Sequence, residues 1–335
     1  MFLNPSILAL LMVSLVVSML MLLAVGFAMA VLRRWDINSG SELQLKLERR
    51  TYLISTLMVF CFVAELISLL LFVYNAEKLS GRFVGAMCAT GVLNANPWGW
   101  PALFLKIGVF FAGAAWLVLN RVDNQAPDYP LIRIKYGALL LIFPLVVAEA
   151  LVQANFFLGL NPDVITSCCG SLFSPQGQGV AAEVAGVEPA LALKALAGAA
   201  MLGLVTGGWA LYRGRDGWPF ALSQLVAFVI ALVAIVSLIA LYIYEHPHHH
   251  CPFCILKSGH GYIGYLLYLP LFISTAFALG VLAISPFAGL DSLREHIRIH
   301  NRRLIQWALG LMLGFYLLSA WSIYSSSLSM QGVWW

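Results

Sequence analysis

Charge is what this chain has least of. Only 10% of its 335 residues are Asp, Glu, Lys or Arg, against 61% hydrophobic, and 19 basic and 15 acidic side chains leave a net charge of +4. A soluble domain carries roughly a quarter charged residues, so a water-soluble fold is excluded. No basic stretch interleaved with aromatics is present, which argues against a nucleic-acid partner. No glycine-rich phosphate loop and no internal repeat appear. The seven histidines all fall outside the apolar runs, which rules out a bis-histidine haem buried mid-membrane.

What the chain does have is apolar length. A helix needs about 20 apolar residues to cross the hydrocarbon core, and eight runs qualify: 7–32, 51–75, 100–120, 132–158, 189–213, 217–244, 262–285 and 303–327. In lipid such runs must be helices, because only a helix satisfies its backbone groups within one segment. The expected fold is all-α, a polytopic bundle forming one integral membrane domain over 1–335, in contact with membrane lipid. Ala28-Met29-Ala30 looks like a cleavage site, but no positive segment precedes the first run and Arg33-Arg34 follow it. A retained first helix is the expectation. Pro144 and Pro270 mark expected kinks, and Trp334-Trp335 an interfacial anchor.

Basic residues orient the bundle. The connections after spans one, three, five and seven, with the helix ends beside them, hold Arg33, Arg34, Lys46, Arg49, Arg50, Arg121, Arg133, Lys135, Arg213, Arg215, Arg294, Arg298, Arg302 and Arg303. Those are 14 of the 19 basic residues. Both termini and the outer loops, about 76–99, 159–188 and 245–261, are therefore expected outside the cytoplasm, as on the periplasmic side of a bacterial inner membrane. Cys88, Cys168, Cys169, Cys251 and Cys254 all fall in those loops; only Cys61 lies in a span. Oxidising conditions outside the cytoplasm let disulfides form and persist.

The densest chemistry lies in Glu245-His-Pro-His-His-His-Cys251-Pro-Phe-Cys254. A Cys-x-x-Cys pair opening a membrane helix is suited to thiol–disulfide exchange, since a helix N-terminus favours the thiolate. On that placement Cys254 lies about 4.5 Å deeper than Cys251, from the helical rise. A structural disulfide is the bland alternative. His246, His248, His249 and His250 admit three readings: a positive field on the cysteines, Cu or Zn ligands together with Cys251 and Cys254, or a solvated loop. The vicinal Cys168-Cys169 pair and Cys88 suit either the outer half of a disulfide relay or a local staple, and soft sulfur ligands also suit metal.

Charged residues inside spans are functional hypotheses by default. Glu65 sits mid-span and is expected to be protonated or paired. Glu149 and Gln153, four apart, share a face that must point into the bundle. Lys106 and Lys194 lie near span ends, where snorkelling to the surface is the simplest expectation. His296 and His300, among arginines, read as solvated.

Cys88-Ala-Thr-Gly-Val-Leu-Asn-Ala-Asn-Pro-Trp-Gly-Trp-Pro101 places a loop cysteine before a Gly-x-Pro helix entry, and a Cys-x-x-Cys follows later at the start of another helix. This arrangement resembles the vitamin K epoxide reductase family. Cys251-Pro-Phe-Cys-Ile-Leu-Lys257 also resembles the disulfide-bond formation protein B family, where a basic residue follows the pair near the quinone. The resemblance covers about 50 residues. It implies a bundle holding a quinone that the Cys-x-x-Cys reduces, and on that reading Lys257, Lys106 and Glu149 are the nearest charged residues to handle protons or polarise the quinone carbonyl. An extracytoplasmic thioredoxin-fold protein or a cytochrome is the expected partner. The chain departs from both families in its eight helices, its single cysteine before Gly99 and its vicinal pair. The competing expectation is a non-catalytic subunit that handles Cu or Zn or docks a redox protein.

Overall fold

The computed structural model describes residues 4–161, 163, 165, 166, 180–213 and 217–329. Among them the regular structure is entirely helical, and eight helices are long and apolar enough to cross a membrane. The long helices are α1 (Pro5–Arg34), α2 (Glu42–Leu79), α4 (Gly99–Asp123), α5 (Ile132–Leu158), α7 (Pro189–Arg213), α8 (Trp218–Tyr244), α9 (Ile263–Ile284) and α10 (Arg294–Ser325). Two short ones, α3 (Ala89–Leu93) and α6 (Val180–Ala185), lie between them. Large apolar side chains such as Leu23, Leu141 and Leu202 stand exposed along the spans, a surface suited to lipid rather than water. The chain is a multi-pass membrane protein.

The helix ends follow local chemistry. Asn4 caps α1 by accepting a hydrogen bond from the Ser6 N–H at 3.1 Å, Pro5 occupies the first turn, and Arg33 and Arg34 sit at the C-terminal end. Each choice suits its end of the helix. Two boundaries differ from the apolar runs. Helix α2 begins at Glu42 and α10 at Arg294, because charged, helix-favouring segments extend both helices beyond their apolar parts. A hydropathy pattern does not register such extensions.

The chain divides into two compact units. The first comprises residues 1–75, 96–160 and 283–300. There α5 packs against α1 and α4, around a core including Met21, Phe27, Phe62, Trp116 and Tyr136. Gly113 lets α4 approach α2 closely, since a Cβ there would lie 2.8 Å from the Phe62 ring. Lys135 is not a solvated connection residue. It is fully buried and paired with Asp123 at 2.7 Å, while Asp123 also accepts from the Leu131 N–H at 2.8 Å. That carboxylate pins the turn between α4 and α5.

The second unit comprises 76–95, 161–282 and 301–335. Helices α7 and α8 pack together, with a core including Leu196, Leu238, Leu241, Leu267 and Phe315. Helix α8 contains a π-turn at Ile235–Ile239. Such turns disturb the regular backbone ladder and often mark functional sites. Helix α8 ends at Glu245, a left-handed residue (φ 53°) whose carboxylate accepts from the Ser327 N–H at 2.9 Å. That hydrogen bond holds the Glu245 carboxyl below the usual carboxylate range.

Candidate functional site

Three of the predicted cysteines meet in the second unit. The sulfurs of Cys88, Cys251 and Cys254 all lie within 4.8 Å of one another, and all three side chains are buried. Cys88 Sγ is 3.4 Å from Cys251 Sγ, and Thr90 Oγ1 lies 3.3 Å from Cys251 Sγ on another side. The residues involved come from positions 163 apart in sequence, so the meeting requires two loops to be clamped together.

The clamps are visible. Cys88 sits at the N-cap of α3, whose residues are all buried. The Ala89 N–H donates to Glu77 Oε2 at 2.9 Å, and the other oxygen of Glu77 pairs with Lys257 Nζ at 3.4 Å. Lys257 Nζ also donates to the Met87 carbonyl. Lys257 thus ties the residues on either side of Cys88 to the loop that carries the Cys-x-x-Cys pair. Gly85 (φ +84°) is required nearby, because a Cβ there would come within 2.4 Å of the Thr166 carbonyl oxygen. Thr166 in turn donates its N–H to the Val84 carbonyl at 3.1 Å.

The backbone of the pair is held from the membrane helices. Tyr244 at the end of α8 donates its hydroxyl to the Cys251 carbonyl at 2.5 Å, and Tyr268 of α9 donates to the Pro252 carbonyl at 2.9 Å. Together these bonds fix the two residues that open the motif.

The structure corrects the expected placement of the pair. Cys251 does not open a membrane helix. Cys254–Leu256 and Ser258–His260 are single 3-10 turns, and α9 begins only at Ile263. Gly261 (φ +62°) and Tyr262 (φ 57°) separate the turns from the helix. Helical rise therefore does not set Cys254 about 4.5 Å deeper than Cys251. The α9 N-terminus likewise does not lie at the pair to stabilise a thiolate.

The four histidines scatter around this centre. His246 and His248 are exposed, and His249 stacks on Tyr244 with ring centroids 4.1 Å apart. His250 is buried, and its Nδ1 lies 3.1 Å from the Val236 carbonyl in the π-turn. A carbonyl only accepts, so Nδ1 carries the hydrogen and Nε2 the lone pair. Burial pushes the His250 imidazole below its ordinary range, and His260 is lowered likewise by burial and by His249 and Lys257. The sulfur group draws in none of the histidines among the described residues. Cys168 and Cys169 lie outside the described residues, as does Trp334-Trp335.

A second cluster occupies the first unit. Lys106 does not snorkel. It is 1% exposed, pairs with Glu149 at 2.8 Å and Glu65 at 3.7 Å, and donates to Ser68 Oγ at 2.9 Å. Gln153 Nε2 donates to Ser14 Oγ at 2.8 Å, and Ser14 lies 3.5 Å from Glu149 Oε2. Lys194, by contrast, is exposed. The Asp123–Lys135 pair went unrecognised in the sequence. Its signal was a carboxylate and a lysine flanking one short turn.

No protein-family model, curated protein or solved structure matches the chain.

Proposed function

We propose that the chain is a membrane thiol–disulfide oxidoreductase that exchanges electrons between extracytoplasmic thiols and membrane quinone. The observation that carries this reading is the three-sulfur group, with Cys88 placed 3.4 Å from Cys251. In the oxidising direction the Cys88 thiolate attacks Cys251 of a Cys251–Cys254 disulfide. A Cys88–Cys251 bond forms, and the Cys254 thiolate leaves with the electron pair. A second thiol then attacks Cys88 of that bond and releases Cys251 as the thiolate; quinone, as the oxidant, would take the two electrons with which Cys251 and Cys254 re-form their disulfide. Overall, two thiols become one disulfide and quinone takes up two electrons and two protons. Lys257 favours the thiolates by its charge and by clamping the two loops. Cys168 and Cys169 are candidates for the relay to a thioredoxin-fold partner or a cytochrome.

Orientation in this reading follows the basic residues: both termini and the cysteine loops face outward across a bacterial inner membrane. Glu149 and Lys106 remain candidates for proton supply. The test is spectroscopic. Cys251→Ser leaves Cys254 without its exchange partner beside bound quinone, and a quinone-dependent visible charge-transfer band is expected. Cys254→Ser should show none. Absence of the band in both variants, with thiol oxidation in membranes unimpaired, would refute the reading.

The same sulfur group supports a second reading, a soft-metal site. Three sulfurs within 4.8 Å suit Cu(I) or Zn. Cys88, Cys251 and Cys254 would hold the ion, and the histidine loop would dock a redox partner. Stoichiometric Cu or Zn in the purified protein, lost in Cys251→Ser, would favour this second account.

A further inference from the structure

The buried charges of the first unit do not balance. Asp123 and Lys135 match one to one. Around Lys106, however, a single ammonium faces two carboxylates, Glu65 and Glu149, and all three side chains are no more than 1% exposed. With every group ionised, one negative charge would stand uncompensated inside the spans, which is severely unfavourable in low dielectric. We propose that the Glu65–Lys106–Glu149 triad is a membrane-buried binding site for a single proton. The inference does not rest on the thiol reading, since the charge imbalance holds whatever the sulfurs of the other unit do.

The hydrogen-bond inventory points to where the proton is held. Ser68 Oγ lies 2.8 Å from the Glu65 carbonyl and 2.9 Å from Glu65 Oε2, and it accepts from Lys106. A serine hydroxyl has one hydrogen. If that hydrogen goes to the carbonyl, as a back-bond within the helix, the contact with Oε2 needs a hydrogen of its own, which a carboxylic acid supplies. Lys106 then keeps its close pair with Glu149. Two further atoms point to an occupant: Glu65 Oε1 and Gln153 Oε1 are buried with no hydrogen-bond partner. Gln153 is fully buried on α5, one turn beyond Glu149, and reaches that acid through Ser14.

Among the described residues no other charged side chain pairs with the triad. Helix α1 contributes Ser14, α2 contributes Ser68 and the thiol-bearing Cys61 one turn before Glu65, and α4 and α5 contribute Lys106, Glu149 and Gln153. Toward the Asn75 end, Phe72, Phe156 and Phe157 form an aromatic trio with centroids 5.0–5.7 Å apart. It separates the triad from the polar Asn75–Ser6 contact, where Asn75 Nδ2 donates to the Ser6 carbonyl at 3.2 Å. The proton can pass from one carboxyl to the other as Lys106 shifts its pairing, with no change in buried charge. Such a site stores a proton at membrane depth.

Infrared spectroscopy of the full-length protein in lipid nanodiscs at neutral pH tests this. The expected spectrum has one protonated-carboxyl C=O band, shifted by H2O-to-D2O exchange and indifferent to replacing sodium by choline. Glu65→Gln and Glu149→Gln should each abolish it, because one carboxylate then balances Lys106. Lys106→Met should double it; the two glutamine variants, close in shape to wild type, decide the matter if that variant does not fold. A wild-type spectrum with no such band, a band that disappears when sodium is added, or one that survives both glutamine substitutions would overturn the proposal.

Discussion

The two units bury their reactive groups in contrasting ways. In the first, Glu65, Lys106 and Glu149 project from three long helices, and the network around them runs almost wholly between side chains. In the second, the sulfurs sit on short turns outside the spans, and their backbone is held by Tyr244, Tyr268 and Lys257. Charge inside a membrane demands partners in a fixed geometry, which rigid helices provide. Disulfide exchange requires sulfurs to change partners, and turns pinned at a few carbonyls allow such movement without unfolding a span.

The comparison is broken most severely at the sulfurs. Cys251→Ser should abolish thiol-dependent quinone reduction in membranes while helical content, read by circular dichroism, stays unchanged. Retained activity would show that the sulfur group is structural. In the first unit Lys106→Met should cost about 3 kcal/mol or more of stability at neutral pH, since Glu149 loses its buried partner and must be buried as the neutral acid. The loss should shrink as pH falls into the ordinary carboxylate range, where the unfolded chain binds the same protons, as thermal unfolding in detergent would show. Glu65→Gln should cost far less.

Smaller effects sharpen the contrast. Lys257→Met should slow thiol oxidation without abolishing it. Its ion pair with Glu77 is partly exposed and worth only about 0.2–1 kcal/mol, so the main effect is a looser approach of Cys88 to Cys251. The readout is the rate of Cys88–Cys251 cross-linking. Tyr244→Phe should cost about 1 kcal/mol and speed alkylation of Cys251, because the Cys251 carbonyl loses its donor.

The smallest effect concerns pH. His250 is held below its ordinary value of 6.5, chiefly by burial. The unfolded loop therefore takes up a proton before the folded one does, and the loop's stability, full above about pH 6.5, falls as pH is lowered from there through the folded value. Hydrogen exchange over 245–261 should accelerate in mild acid, and His250→Gln, which keeps a donor for the Val236 carbonyl, should remove that dependence.

Much of this architecture was legible from apolar length alone. The spans 132–158 and 189–213 match α5 and α7 to the residue. The Cys-x-x-Cys was misplaced for a local reason. A left-handed Glu245, Pro247, Pro252 and the Gly261–Tyr262 pair interrupt the chain around it, and the apolar character of Ile255-Leu256 conceals that break. Those two residues are buried as packing in the turn. Lys106 was misjudged because snorkelling depends only on position along a helix, whereas pairing depends on what faces it from α2 and α5. The presence of two in-span acids was the available hint. The meeting of Cys88 with Cys251 had no signal in spacing, since Glu77 and Lys257 bring it about from different loops.

The central claim, that Cys88 and Cys251 exchange a bond, is tested most directly by trapping it. In Cys254→Ser no Cys254 thiolate is left to displace Cys88 from Cys251, so a Cys88–Cys251 bond formed from the two thiols by an added thiol oxidant persists. After oxidation in native membranes, non-reducing peptide mass spectrometry should find Cys88 covalently joined to Cys251. Finding Cys251 wholly reduced or joined only elsewhere, while membranes carrying the variant still oxidise thiols with quinone, would contradict it.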